Sequence, residues 1–146
     1  GLHDLAVRFS RCCNPVPGDE IVGFVTRGRG VSIHRTDCIN VINLPEDERG
    51  RLIDAEWQGA ENPTSTEQYS TEIQIFANNR IGLFADISKV FTEKQIDITS
   101  MNVRTSKQGR ATIIMTFDIH GTEELNRITD KIRQIDGVLD IQRTTG

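Results

Sequence analysis

TEIQIFANNRIGLFADISKVFTE, residues 71–93, holds a strand, a glycine turn and an amphipathic helix in one run. Ile73 and Ile75 fall on one side of an extended chain, a period of two that reads as a strand over 71–77. Residues 78–82 (NNRIG) offer two asparagines and a glycine, the composition of a turn. Over 83–94, Leu83, Ile87 and Val90 recur at intervals of four and three, with Phe84 and Phe91 seven apart. That spacing collects one apolar stripe on a helix.

Downstream, residues 96–106 read as a strand in which Ile96 and Ile98 alternate. Met101 and Val103 fall on the opposite parity, which predicts a bulge near Thr99 and Ser100. KQG, 107–109, is a hairpin turn, and 110–120 alternates through Ala111, Ile113, Met115, Phe117 and Ile119. Thr122 is expected to cap a second helix, with Glu123 and Glu124 in its first turn where the helix dipole favours them. Leu125, Ile128, Ile132 and Ile135 carry its apolar face, Gly137 ends it, and VLDIQR forms a last strand. The order βαββαβ predicts a four-stranded antiparallel sheet with two helices on one face, the ferredoxin-like arrangement. Its open sheet edges invite side-by-side dimerisation. A fold so widely used does not define a function.

Upstream, QGAENPTSTEQYS, 58–70, is polar and lacks any apolar period, so it reads as a linker between units spanning 1–57 and 71–146. In the first unit, LAVRFS, EIVGFVT, VSIH and DAEW read as short strands. CCNPVPGD reads as a turn and RGRG as a tight basic loop. TDCINVINL reads as a helix with Thr36 or Asp37 as its N-cap. The chain is therefore α+β: a small β-rich Cys/His unit with one helix, followed by the ferredoxin-like unit. Each has roughly 70 residues and buries a thin core, so a metal, a staple or oligomerisation would help it.

The 146 residues carry a formal net charge of −4, and 46–70 is the most acidic stretch. Any nucleic-acid surface must be local. No apolar run reaches the roughly 18 residues that span a bilayer, and no basic-apolar leader is present. A soluble, cytoplasmic chain without membrane contact is expected. Gly1 in place of an initiator Met leads us to expect a piece excised from a longer protein. Three cysteines, two of them adjacent, fit reduced thiols better than a disulfide framework.

Residues 11–38 gather all three cysteines with His34 and four arginines. His34 and Cys38 have a half-site spacing, and Cys12 and Cys13 supply another half after a turn. Three thiolates and an imidazole suit a structural zinc. Adjacent cysteines diverge on an extended strand, so both ligate only where the chain bends. Two alternatives stand beside this: the cysteines as small buried hydrophobes, or a thiol enzyme pairing Cys12 or Cys13 with His34. For the latter, Asp37 is the one nearby acid, and no nucleophile motif accompanies it. Arg27 and Arg29 lie in a loop whose glycines permit close approach, with Arg11 and Arg35 flanking the Cys/His residues. Guanidinium forks suit phosphates and stack on bases, although a solvated basic loop has the same composition. Phe9 and Phe24 sit on strands and read as core.

CCNPVPGDEIVGFVTRGRGVSIHRTDC, 12–38, closely resembles the cysteine-bearing segment of long RelA/SpoT-type (p)ppGpp synthetase/hydrolases, known as their zinc-finger or ribosome-intersubunit domain. ANNRIGLFADIS, 77–88, resembles the ACT domain that ends the same enzymes. The likeness covers nearly the whole chain in the same order. It implies a regulatory C-terminal piece of a stringent-response GTP pyrophosphokinase, without catalytic residues of its own. The parent would move pyrophosphate from ATP to GTP or GDP, and many members also hydrolyse the product. The resemblance implies zinc at Cys12, Cys13, His34 and Cys38, beside Asp37. It implies docking on large-subunit ribosomal RNA near uncharged tRNA, for which Arg11, Arg27, Arg29 and Arg35 are the candidates.

It further implies an ACT homodimer whose ligand is a branched-chain amino acid, valine or isoleucine. Asn78, Asn79, Arg80, Gly82 and Leu83 would face Ile98 and Met101 of a second copy. Backbone N–H groups at the helix start would take the carboxylate, and Leu83, Ile98 and Met101 the side chain. Leu83 and Ile98 also fit ordinary core positions. The alternative is a stand-alone ACT-type amino-acid-binding dimerisation module with a structural Cys/His metal site.

Overall fold

The computed structural model describes residues 6–28, 30–57 and 67–144. In the second unit, β5 (Tyr69–Asn78), α2 (Leu83–Glu93), β6 (Ile98–Thr105), β7 (Arg110–Ile119), α3 (Thr122–Arg133) and β8 (Val138–Arg143) follow one another in the predicted order. The sheet runs β6-β7-β5-β8 with every neighbour antiparallel. Ile73, Ile75 and Ala77 of β5 and all five alternating apolar residues of β7 are buried on one face. Leu83, Ile87 and Phe91 of α2 and Leu125, Ile128 and Ile132 of α3 close over that face in a single core. The bulge falls where parity predicts it, with the register shifting between Ile98 and Ser100.

Several boundaries differ from expectation. β5 begins at Tyr69, two residues inside the stretch read as linker; the linker's residues 58–66 lie outside the described residues. β6 begins at Ile98, because Gln95 adopts φ 56° and the N–H of Ile96 returns to the carbonyl of Phe91, which uses 95–97 to close α2. Thr122 is the first residue of α3, not its cap, which is Gly121. The Thr122 N–H donates instead to the carbonyl of Pro17, at 2.8 Å, from the first unit.

The first unit comprises β1 (Ala6–Phe9), β2 (Ile21–Val25), β3 (Gly30–Arg35), α1 (Ile39–Ile42), a 3-10 turn (Glu46–Arg51) and β4 (Leu52–Asp54). Its sheet order is β1-β3-β2-β4, with β1 parallel to β3. The last strand lies earlier than the DAEW reading, because Leu52 and Ile53 pair with Phe24 and Gly23. The cap of α1 is Cys38, not Thr36 or Asp37; the Asp37 carboxylate turns to Arg35 instead. Among the described residues no helix is long and apolar enough to cross a membrane.

The loop between β1 and β2 joins the units. Val16 is wholly buried and belongs to the core of the second unit. Gly18, at φ 102°, lies so close to Thr122 that a side chain there would collide with the threonine hydroxyl. Asp19 accepts a two-pronged ion pair from Arg143 at 2.7 and 3.0 Å, and Arg143 also donates to the carbonyl of Asn14. Phe9, Trp57 and Tyr69 pack together at 5.4–5.6 Å between ring centres on the same seam.

Candidate metal centre

The Cys/His cluster is assembled by two turns. After β1, the N–H of Ser10 bonds the carbonyl of Ile33, and the N–H of Asn14 closes back on the carbonyl of Ser10. Asn14 is left-handed at φ 48°, a conformation asparagine tolerates better than most residues. This bend turns both Cys12 and Cys13 to one side, the condition adjacent ligands require. β3 delivers His34, and a turn closed by the N–H of Cys38 on the carbonyl of Arg35 delivers the third thiol.

The donor atoms of Cys12, Cys13, His34 and Cys38 all lie within 4.8 Å of one another. Cys12 Sγ is 3.4 Å from His34 Nδ1, 3.5 Å from Cys38 Sγ and 4.0 Å from Cys13 Sγ. Cys13 Sγ is 3.9 Å from His34 Nδ1. A tetrahedron with metal–sulfur bonds of about 2.3 Å has edges of roughly 3.8 Å, so these spacings match a four-donor shell. The cluster can hold a metal ion.

Its surroundings suit that use. His34 Nε2 meets the hydroxyls of Ser10 and Ser32 at 3.0 and 3.1 Å, which leaves Nδ1 toward the sulfurs and fixes the ring. Burial, then the charge of Arg8, pushes the imidazole below its usual pKa, favouring the neutral form that ligates. Burial pushes the Cys13 thiol up to about 12, against the N–H of Arg35 that donates to its sulfur at 3.3 Å. Burial also raises Cys12, but hydrogen bonding with Asn40, Cys38, Cys13 and Ser10 outweighs it and leaves that thiol below the ordinary value. Cys12 and Cys13 both meet one imidazole nitrogen, and Asp37, the acid nearest in sequence, pairs with Arg35 at 2.5 Å instead of orienting the ring. Among the described residues no nucleophile–base–acid relay is assembled, and the donor set has the spacing of a ligand shell.

The three described arginines of the set are not gathered on one surface. Arg11 is exposed on the cysteine turn, and Arg27 is exposed at the β2–β3 loop beside Glu48 at 3.3 Å. Arg29 lies outside the described residues. Arg35, expected on the same RNA-facing surface, is buried instead. Its guanidinium donates to the carbonyls of Cys13 and Thr144 and to Asp37, tying the cluster to the end of β8. It lines a cleft of about 470 Å³ at the seam with Leu125, Arg133, Ile141 and Arg143.

The residues expected around an ACT ligand divide between two places. Asn78, Asn79, Arg80 and Gly82 form the β5–α2 turn, with Gly82 at φ 84°. Arg80 holds that turn through the carbonyls of Asp136 and Ile81 and the carboxylate of Asp86. Leu83 is fully buried in the core. Ile98 and Met101 lie on β6, an edge of the sheet separated from β5 by β7. Sequence reasoning missed Val16, Asp19 and Arg143 as seam residues and Ser10 and Ser32 as supports of His34. Ser32 lies two residues from His34 on β3, where strand alternation puts both on one face; the others act across long stretches of chain and carry no local signal.

Residues 1–58 match the family model of the RelA/SpoT RIS domain, and residues 65–143 that of the ACT domain. A GTP pyrophosphokinase of Streptomyces coelicolor is 39% identical over 145 residues, covering 99% of this chain and 16% of that protein. One from Escherichia coli K12 is 37% identical over 147 residues, covering 100% of this chain and 19% of that protein. The bifunctional (p)ppGpp synthase/hydrolase RelA of Mycobacterium tuberculosis is 36% identical over 145 residues, covering 99% of this chain and 19% of its own length. The chain thus spans less than a fifth of these relatives. A crystal structure of the ACT domain from GTP pyrophosphokinase of Chlorobium tepidum aligns with 53% of this chain and 99% of its own, at 22% identity and a TM-score of 0.48.

Proposed function

The chain belongs to the RelA/SpoT family, as a C-terminal regulatory region made of a RIS and an ACT domain, and on that premise we propose that it docks a longer GTP pyrophosphokinase on the ribosome. The longer protein moves pyrophosphate from ATP to GTP or GDP, with hydrolysis of the product in bifunctional members. The RIS unit contacts large-subunit ribosomal RNA close to uncharged tRNA. Docking biases the distant catalytic part by as much as the two states of the protein differ in affinity for the ribosome. Zinc held by Cys12, Cys13, His34 and Cys38 stiffens the unit that presents the contact residues.

The observation that carries this reading is the placement of Arg11 and Arg27. Both project from loops of the small unit, and the Arg27 side chain is 83% exposed. Its ion pair with Glu48 is solvent-screened and yields readily to phosphate. Binding therefore weakens with salt as counterions are released. In ribosome co-sedimentation, Arg11→Glu with Arg27→Glu should weaken pelleting and flatten its salt dependence while leaving the circular dichroism unchanged. Pelleting at the wild-type level by the folded double variant ends the docking assignment.

A second role, sensing valine or isoleucine at an ACT dimer, is favoured by the rigidity of the β5–α2 turn. The N–H of Asn78 donates to the carbonyl of Gly137 and that of Asn79 to the carbonyl of Gly109, so the turn is braced on both sides. A turn held in advance loses little entropy on binding.

A further inference from the structure

Cys12 and Cys38 stand sulfur to sulfur at 3.5 Å, closer than the 4.0 Å between Cys12 and Cys13. The three thiols also differ in access. Cys13 and Cys38 are buried to 1% and 0% exposure, while Cys12 is only partly buried. Cys13 is further restrained, because its sulfur accepts the N–H of Arg35 and its carbonyl accepts the Arg35 guanidinium. A bridge between the adjacent Cys12 and Cys13 would close a small, strained ring far from ordinary disulfide geometry. Cys12 and Cys38 lie on two separate turns with their sulfurs already 3.5 Å apart, and a bridge between them closes no adjacent-residue ring.

We propose that Cys12 and Cys38 form a reversible disulfide under hydrogen peroxide, a covalent alternative to metal in the same cluster. The reachable Cys12 thiol takes one oxygen from peroxide and becomes a sulfenic acid, with release of water. The buried Cys38 thiol then attacks that sulfur, the S–O bond breaks, and the oxygen leaves as a second water. Two thiols are oxidised and one peroxide is reduced. A small-molecule thiol reverses the bond by exchange. Because two of the four donors are consumed, metal and disulfide exclude each other. This rests on the thiol geometry alone and stands or falls separately from ribosome docking.

The test begins with chelator-treated protein exposed to hydrogen peroxide. Free thiols should fall from three to one per chain, and dithiothreitol should restore them. In a tryptic map, the peptide 12–27 should be joined to 36–49, and fragmentation of the linked pair should place the bond on Cys12. Cys13→Ser should keep the link and Cys12→Ser should lose it; the wild-type fragment spectrum decides even where a variant folds poorly. Zinc at tenfold excess over its dissociation constant should slow the reaction about tenfold, as mass action requires. An internal bridge within 12–27, a link that survives in Cys12→Ser, or single sulfurs oxidised to sulfonic acid without any link would overturn the pairing. An equal rate with and without zinc would overturn the mutual exclusion.

Discussion

Thr71 points into the core at 0% exposure, and its hydroxyl has no hydrogen-bond partner among the described residues. A buried orphan hydroxyl costs about 1–3 kcal/mol, and valine has the same shape without it. Thr71→Val should therefore raise stability by about 1 kcal/mol, read as a higher urea midpoint with an unchanged slope. An unchanged or lower midpoint would mean that the hydroxyl is satisfied in solution. The same residue-scale chemistry explains what sequence alone disclosed about the site. Cys12, Cys13, His34 and Cys38 were legible as a set because thiol and imidazole are ligand types whatever the fold. The bend that lets neighbouring cysteines converge was legible as a need, and Asn14 meets it. Arg35 was not legible: an arginine beside cysteines looks like a surface contact until its partners, the carbonyls of Cys13 and Thr144, are located. Thr144 lies more than a hundred positions away, beyond any local pattern.

At the scale of elements, periodicity carried far and termini did not. The apolar stripes of α2 and α3 and the alternation of β5 and β7 are properties of each segment's own spacing, so they could be read directly. Caps depend on what arrives from elsewhere. The start of α3 is closed by the Pro17 carbonyl at its first N–H, and by Glu124, which accepts the N–H of His120 just before it. The β6 edge follows the same logic: Met101 and Val103 pair with the buried Met115 and Ile113, yet stay 37% and 38% exposed at the rim of the sheet. A second copy bringing that apolar edge to the β5–α2 turn would complete the proposed amino-acid site. Calorimetric titration with valine should give saturable heat with the dimer. Arg80→Ala, which releases the turn from Asp136 and Asp86, should weaken it about tenfold, or 1.4 kcal/mol. A folded dimer silent to both valine and isoleucine removes the sensor role.

At the scale of the molecule, two separate sheets share one stretch of chain. The run from Cys12 to Asp19 passes from the candidate metal ligands through Val16, which fills the ACT core, to Asp19, which holds Arg143 of β8. Neither unit completes its packing without that run, so the two should unfold together although their hydrogen-bonded sheets are distinct. Trp57 is the only tryptophan and sits on the seam, donating to the carbonyl of Asp19 at 3.1 Å; its fluorescence reports on the junction, and far-UV circular dichroism on both units. Both signals should give one coincident thermal transition. Zinc at a hundredfold excess over its dissociation constant should stabilise that transition by about 2.7 kcal/mol, moving both signals equally. The Arg143–Asp19 pair is largely buried, with side-chain exposures of 18% and 9%. Arg143→Ala leaves the Asp19 carboxylate without its cation, with the Val16 N–H still donating to it, and should cost about 3 kcal/mol. It should also part the two signals, leaving the ACT transition insensitive to zinc. Two separate transitions in the unaltered protein, or a zinc shift confined to one signal, would mean that the cluster stabilises its own unit alone. A shared shift would mean that metal at one end of the chain and the state of the ACT domain at the other are reciprocally linked, so that anything bound at the second alters affinity at the first.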